Sequence, residues 1–267
     1  MSFSRSFKFI LVAILFVSTL GLANNNYRRG PSGESYYNKA ASHTPWMFPG
    51  ISVASPAGFG AQWGNVGVGA GFQSRTRGGT NADGSIGAAF GAGDAEKYVG
   101  VETAVSILSV TGSDAFDRGS VSFKIHRRLP WGLSVAAGRE SAIIWGGSDG
   151  GRSWYGSVSK VIILQDPSEW FSALTLTAGA GDGRFRMEKD VNAGNSNVMA
   201  FGSAALRLQE PVSFLVDWTG QDLALGLSIT PLRDFGLYIN PSLVDVTRTA
   251  GDGVRFLLGV GLGYTFT

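Results

Sequence analysis

From residue 64 onward, large apolar residues recur at every second position, and the positions between them are small or polar. In 65–73, Val66, Val68, Ala70 and Phe72 alternate with Asn65, Gly67, Gly69, Gly71 and Gln73. In 221–230, Leu223, Leu225, Leu227 and Ile229 alternate with Ala224, Gly226, Ser228 and Thr230. In 255–266, Phe256, Leu258, Val260, Leu262, Tyr264 and Phe266 alternate with Leu257, Gly259, Gly261, Gly263 and Thr265. A period of two belongs to a strand with two unlike faces. No segment carries a sustained helical apolar stripe. The runs predict about twelve strands, near 65–75, 84–93, 97–110, 118–128, 131–141, 152–164, 170–181, 197–209, 211–218, 221–230, 235–246 and 254–266.

The connections alternate as well. TRGGTNADG, TGSDAFDRG, IIWGGSDGGRS, GDGRFRMEKDVNAGN and TRTAGDG are long, and each follows an odd-numbered strand. GDAEK, Leu129-Pro130, QDPSE, Glu210-Pro211 and PLRDF are short and follow even-numbered ones. The ninth connection, TGQD, is short where the rule asks for a long one. A soluble sandwich has no reason to alternate in this way. A transmembrane barrel has one, because its periplasmic turns are short and its outer loops long. An even strand count also returns both chain ends to the periplasmic side.

The two faces agree with that reading. One phase is rich in Val, Leu, Ile and Phe and would meet lipid. The other is mainly Gly, Ala, Ser and Thr with occasional charges and would face inward. In a soluble sandwich the second phase would be the solvent face and would carry many charges, yet only 16% of all residues are charged. Aromatics gather near strand ends: Tyr98, Trp131, Trp170, Phe171, Phe235, Tyr264 and Phe266 by the short turns, Phe72, Trp145, Trp154, Tyr155, Trp218 and Phe256 by the long loops. Two such girdles are expected at the two membrane interfaces.

The first residues differ in kind. Arg5 and Lys8 precede an apolar core from Phe9 to Leu22, and Gly21-Leu22-Ala23 offers small residues for cleavage. Residues 1–23 are therefore expected to be a secretory signal peptide. Of the 22 basic and 20 acidic residues, two basic ones fall in that leader, so the remainder is formally neutral and gives no sign of nucleic-acid binding. Residues 24–63 have no clean period and are expected to form an irregular N-terminal arm or plug. Residues 64–267 are expected to form the barrel. There is no cysteine, so an exported chain must be held by other means.

With its leader, its alternating strands and its closing GVGLGYTFT, the chain resembles the bacterial outer-membrane β-barrel proteins. The resemblance implies an all-β, closed antiparallel transmembrane barrel in the outer membrane, surrounded by outer-membrane lipid. It also implies assembly machinery that reads a terminal aromatic. Tyr264 and Phe266 are then the assembly signal, with Thr267 a small departure at the last position. The hairpin VDWTGQDLALGLSI, 216–229, is similar to hairpins in barrels linked to exopolysaccharide export.

Candidate chemistry is modest. Glu102, Lys124, His126, Glu140, Arg207, Gln209 and Asp217 share the inward phase and are candidate lumen-lining residues. They fit either mutual ion pairs and plug contacts or a pore lining that selects solutes by charge. Counting back from the third connection puts Glu102 roughly opposite His126 and beside Lys124. Asp149, Arg152, Asp182, Arg184, Asp252 and Arg255 are candidate loop-rim residues, drawn from repeated Asp-Gly pairs followed by arginine. Asp-Gly is also plain turn chemistry. Arg127-Arg128 is expected at the inner membrane edge. Only His43 and His126 could serve acid–base catalysis, and neither has an evident nucleophile partner. The expected function is a passive, porin-like channel for small solutes, with no enzyme activity, no cofactor and no metal. The alternative is a non-channel role in surface-polymer export, assembly or adhesion, with the lumen plugged by the arm and a periplasmic partner. Twelve strands enclose more space than small inward residues can fill, so the lumen should hold water or a plug.

Overall fold

Twelve strands form where the alternation predicts them. They are β1 (Asn65–Gln73), β2 (Asp83–Gly93), β3 (Gly100–Ile107), β4 (Gly119–Leu129), β5 (Leu133–Trp145), β6 (Ser153–Ile163), β7 (Ala173–Gly181), β8 (Met199–Gln209), β9 (Val212–Trp218), β10 (Leu223–Ile229), β11 (Leu237–Val244) and β12 (Arg255–Thr265). The computed structural model describes residues 50–112, 115–146, 151–232, 236–250 and 253–266. The stretch expected to be a signal peptide and the first part of the expected arm, with His43, lie outside them.

Each strand pairs antiparallel with its sequence neighbours, and β1 pairs with β12, so the sheet closes on itself. Closure removes both edges, and every strand finds a partner on each side. At the seam Gly67, Gly69 and Gly71 face Gly263, Gly261 and Gly259, and all six point inward. The absence of side chains there leaves room for others: the Tyr238 ring lies where a Cβ on Gly261 would sit.

The outer face is mainly apolar, interrupted by Arg127, Arg139 and Lys160. Val68 and Phe72 on β1, Val101 and Val105 on β3, Phe123 and Ile125 on β4, Val260 on β12 and their neighbours are exposed. The inner phase is buried and polar, with Ser106, Ser120, Ser134, Ser157, Thr175, Ser203 and Ser213 among its members. Trp63, Tyr98, Trp131, Trp170, Phe171, Tyr264 and Phe266 are exposed toward the short turns, and Phe72, Trp145, Trp154 and Phe256 toward the long loops. Tyr155 departs from the expected girdle. It is the third residue of β6, points inward and is buried.

The short turns are built tightly. Between β4 and β5 the chain reverses through Pro130–Gly132, with Trp131 at φ 62° and Gly132 at φ 72°. Proline fixes the first corner and glycine accepts the left-handed second. Between β2 and β3, Asp94 accepts hydrogen bonds from the backbone N–H groups of Glu96 and Lys97. These bonds, that of Lys97 foremost, hold its carboxyl below the usual aspartate range. Arg128 reaches Glu96 at 2.7 Å, tying this turn to β4, while Arg127 is exposed on the outer face. β5 runs four residues past its predicted end. A register shift between Val121 and Phe123 interrupts the alternation, Ser141 takes φ 51°, and pairing then resumes to Trp145.

Candidate functional site

The lumen is occupied by the chain itself. Residues 50–62, GISVASPAGFGAQ, run inside the barrel, and every residue from Gly50 to Gly58 is buried. This stretch forms no strand, yet its buried backbone groups still need partners. The inward side chains of the wall supply them.

Asp217 on β9 is the main anchor. Its Oδ2 accepts hydrogen bonds from three consecutive N–H groups, those of Val53 (2.7 Å), Ala54 (2.7 Å) and Ser55 (2.9 Å). Its Oδ1 accepts the Ser55 hydroxyl. Successive N–H groups converging on one oxygen form an anion-binding nest, here filled by a carboxylate. Asp217 is fully buried, so this satisfaction is what permits a charge there. On either side, Ser203 Oγ donates to the Ile51 carbonyl at 3.1 Å, and Gly50 N–H donates to Ser228 Oγ at 2.7 Å. Gly58 N–H donates to Ser159 Oγ at 2.9 Å.

A second anchor lies near the short-turn end. Glu102 Oε2 accepts the Ala61 N–H at 2.7 Å, and Lys124 Nζ donates to the Phe59 carbonyl at 3.1 Å. His126 Nε2 lies 2.8 Å from the Ala61 carbonyl, which makes that nitrogen the donor. Lys124 and Glu102 also form a buried ion pair at 3.1 Å. Glu102 faces Lys124 directly across β3 and β4, and His126 faces Gly100. The expected pairing of Glu102 with His126 is thus displaced by two residues, which a bare count through a loop cannot fix.

The path of the segment follows from these contacts. Ser228 is one residue from the short-turn end of β10, Asp217 one residue from the long-loop end of β9, and Glu102 near the short-turn start of β3. The chain therefore rises from the short-turn end, turns over near Asp217 and descends to leave beside Trp63. Its apolar side chains have a matching wall. Ile51, Val53 and Ala57 pack with Ala205, Leu215, Ala224, Val244 and Leu257, and Phe59 closes the cluster.

From the other end the β7–β8 connection folds inward. Gly183–Phe185 makes one tight turn, and Arg184 and Phe185 are buried. Phe185 stacks on Phe201 with centroids 4.4 Å apart and meets Tyr155 edge-on at 6.2 Å. Arg184 pairs with Glu140 of β5 and donates to the Ala54 carbonyl at 2.9 Å. It therefore joins loop, wall and inserted segment. Above it, Arg77 of the β1–β2 loop pairs with Asp222 at 3.1 Å and lies 3.6 Å from Glu188 on a short helix, Glu188–Ala193. Gln221 bonds Glu188 at 2.6 Å, and Arg255 lies 3.9 Å from Asp222.

Among the candidate lumen residues, Glu102, Lys124, His126, Glu140, Arg207 and Asp217 are buried on the inner face. Arg207 bonds the Glu210 carbonyl at 3.0 Å rather than the segment. Gln209 stands apart and is exposed, beyond a register shift at Arg207/Gln209. Among the candidate rim residues, Arg152 is exposed and Asp182 accepts the Trp154 N–H at 2.6 Å. Arg184 and Arg255 are inside the barrel rather than on the rim, because buried carboxylates draw both guanidinium groups inward. Asp149 and Asp252 lie outside the described residues. Tyr264 and Phe266 are exposed at the short-turn end, where Phe266 meets Trp63 edge-on at 6.2 Å.

Sequence reasoning did not single out Ser55, Ser159, Ser203, Ser228, Arg77 or Asp222. One signal was available. Leu215, Leu257, Phe201 and Tyr155 are large residues in a phase of small ones, and each one packs against something inserted.

An apolar outside, a polar inside and closed strands define a transmembrane β-barrel of the outer-membrane type. No family model matches the chain, and no curated protein matches it. Solved structures similar to it include the KdgM porin, at 9% identity and TM-score 0.47, over 76% of this chain and 99% of that one. The NanC porin is similar at 10% identity and TM-score 0.45, over 75% and 100%. Omp33 of Acinetobacter baumannii is similar at 7% identity and TM-score 0.38, over 76% and 97%.

Proposed function

We propose that the protein is a porin-like outer-membrane channel for small solutes, held shut by residues 50–62 in the form described. The observation that carries the reading is the way the segment is held. It rests on the wall through backbone groups, the Ser55 hydroxyl and four apolar side chains, Ile51, Val53, Ala57 and Phe59, and it enters and leaves by the same end. Its withdrawal would leave a twelve-strand ring lined mainly by serine, threonine and glycine, with the Glu102–Lys124 pair, the Asp217 carboxylate and the infolded β7–β8 connection carrying Arg184. That ring is wider than the eight-strand barrels whose own side chains fill them.

The second reading, a permanently plugged barrel serving export, assembly or adhesion, is favoured by the apolar packing of Ile51, Val53 and Phe59. A lock separates the two. A Cβ on Gly226 would lie 3.1 Å from Val53 Cγ2, and the chain has no cysteine of its own. The full chain carrying Val53→Cys and Gly226→Cys should show discrete conductance steps in planar bilayers when reduced and none when oxidised. Absence of steps in the reduced protein, or steps that persist through oxidation, would overturn the gated-channel reading.

A further inference from the structure

The inserted segment is a peptide seen bound to its own barrel. We propose that the lumen, when residues 50–62 withdraw, is a binding site for short peptides of small residues, admitted from the short-turn end. This rests on the gated-channel reading and names the ligand class of the same site.

The wall is matched to amide chemistry. Acceptors and donors alternate along the segment as N–H and C=O groups do along any peptide. Asp217, Ser159 and Glu102 take N–H groups, and Ser203, Arg184, Lys124 and His126 take carbonyls. All seven are buried against the segment, so each exchanges its segment partner for lumen water when the segment withdraws. A peptide presenting the same order of N–H and C=O groups restores these bonds and releases that water. Lys124 is paired with Glu102 and Arg184 with Glu140, so neither pair favours an ionic solute, and the Asp217 carboxylate is met by three successive N–H groups, which a peptide supplies.

The wall also sets size. A Cβ on Gly60 would lie 2.7 Å from the His126 ring, and one on Gly58 would collide with the Ser134 carbonyl. A Cβ on Gly50 would lie 3.0 Å from Ser228 Oγ. Apolar lining from Ala205, Leu215, Ala224, Val244 and Leu257 receives Ile51, Val53 and Ala57, with Phe59 packed against the cluster. The favoured ligand therefore has glycine where the wall closes in and apolar side chains at the positions matching Ile51, Val53, Ala57 and Phe59.

The test uses the full chain carrying Gly58→Val and Gly60→Val, which disfavours its own segment while leaving the wall intact. The probe is the end-capped synthetic peptide GISVASPAGFGAQ. In planar bilayers it should reduce the conductance of this variant in a concentration-dependent way. The same peptide with valine at both glycines should need at least about tenfold more, since 1.4 kcal/mol corresponds to a factor of ten. Open channels blocked equally by both peptides, or by neither, would overturn the peptide site and leave the channel reading standing. Anisotropy of the fluorescently labelled peptide in detergent gives a second readout independent of conductance. Saturable binding that favours the glycine peptide supports the site even where no current flows, and failure to bind overturns it.

Discussion

The Arg184 guanidinium donates to the Ala54 carbonyl at 2.9 Å, so the infolded outer connection and the inserted N-terminal segment touch inside the barrel toward its long-loop end. The same side chain pairs with Glu140 on the wall. Occlusion from the two ends is therefore coupled, since either inserted element loses a buried partner when the other moves.

Arg184→Met should be markedly destabilising. It leaves Glu140 buried without its cation, a loss of about 3–5 kcal/mol by the behaviour of broken buried pairs. Glu140→Gln together with Arg184→Met should recover much of that, because no unpaired charge then remains. Urea unfolding of the barrel in lipid vesicles, followed by tryptophan fluorescence, measures both. Equal losses in the single and the double variant would show that the pair contributes shape rather than charge balance.

Asp217 should control how often the segment leaves. Each hydrogen bond to a charged group contributes about 1.5–3 kcal/mol. Asp217→Ala removes the acceptor of three N–H groups and should raise the open fraction at least about tenfold. Asp217→Asn keeps one acceptor oxygen and should fall between. Single-channel closed dwell times and open probabilities order the three proteins, and values unchanged in the alanine variant would mean that the apolar packing alone holds the segment.

Much of the barrel was legible in the sequence, and the reason is geometric. Alternation along β1, β10 and β12 reports which side of a strand each residue faces, a property fixed within the strand itself. All twelve strands lie where the alternation predicts them. The contents of the lumen were less legible. Asp217 meets Val53 at a separation of 164 residues and through backbone atoms, which leave no mark on residue type. Arg184 and Arg255 read as rim residues because Asp-Gly pairs precede them, yet the carboxylates that draw them inward, Glu140 on β5 and Asp222 in the β9–β10 connection, lie far away along the chain. The facing of Glu102 and Lys124 needed the true lengths of β3 and β4 as well as their alternation.

The lipid face should punish charge in proportion to depth. Val260 is the central residue of β12 and is exposed on the outer wall between Ala70 and Ile239. Val260→Arg should cost about 2–4 kcal/mol, the value for arginine at the bilayer midplane of a barrel. The same substitution at Val66, the second residue of β1 near the short-turn end, should cost about 0–1 kcal/mol. Unfolding in vesicles gives both numbers. Equal costs at the two positions would argue that this wall does not face hydrocarbon.

The last aromatic should matter to assembly more than to stability. Phe266 sits past the end of β12, exposed, with its ring against Trp63 at the seam where the first and last strands meet. Its backbone N–H donates to the Gly64 carbonyl at 2.8 Å, a bond that any residue at this position can make. Phe266→Ala therefore keeps the closing hydrogen bond and removes only the exposed ring. An exposed ring contributes little to the folded state, because little of its area leaves solvent or lipid on folding. If the ring is read by the assembly machinery, the variant should accumulate several-fold less folded barrel in cells while purified protein refolds into detergent as the parent does. Heat-modifiable migration on gels separates folded from unfolded barrel in both settings. Equal folded yields in cells would remove Phe266 from the assembly signal, and a matching defect in detergent would make it a closing residue of the seam.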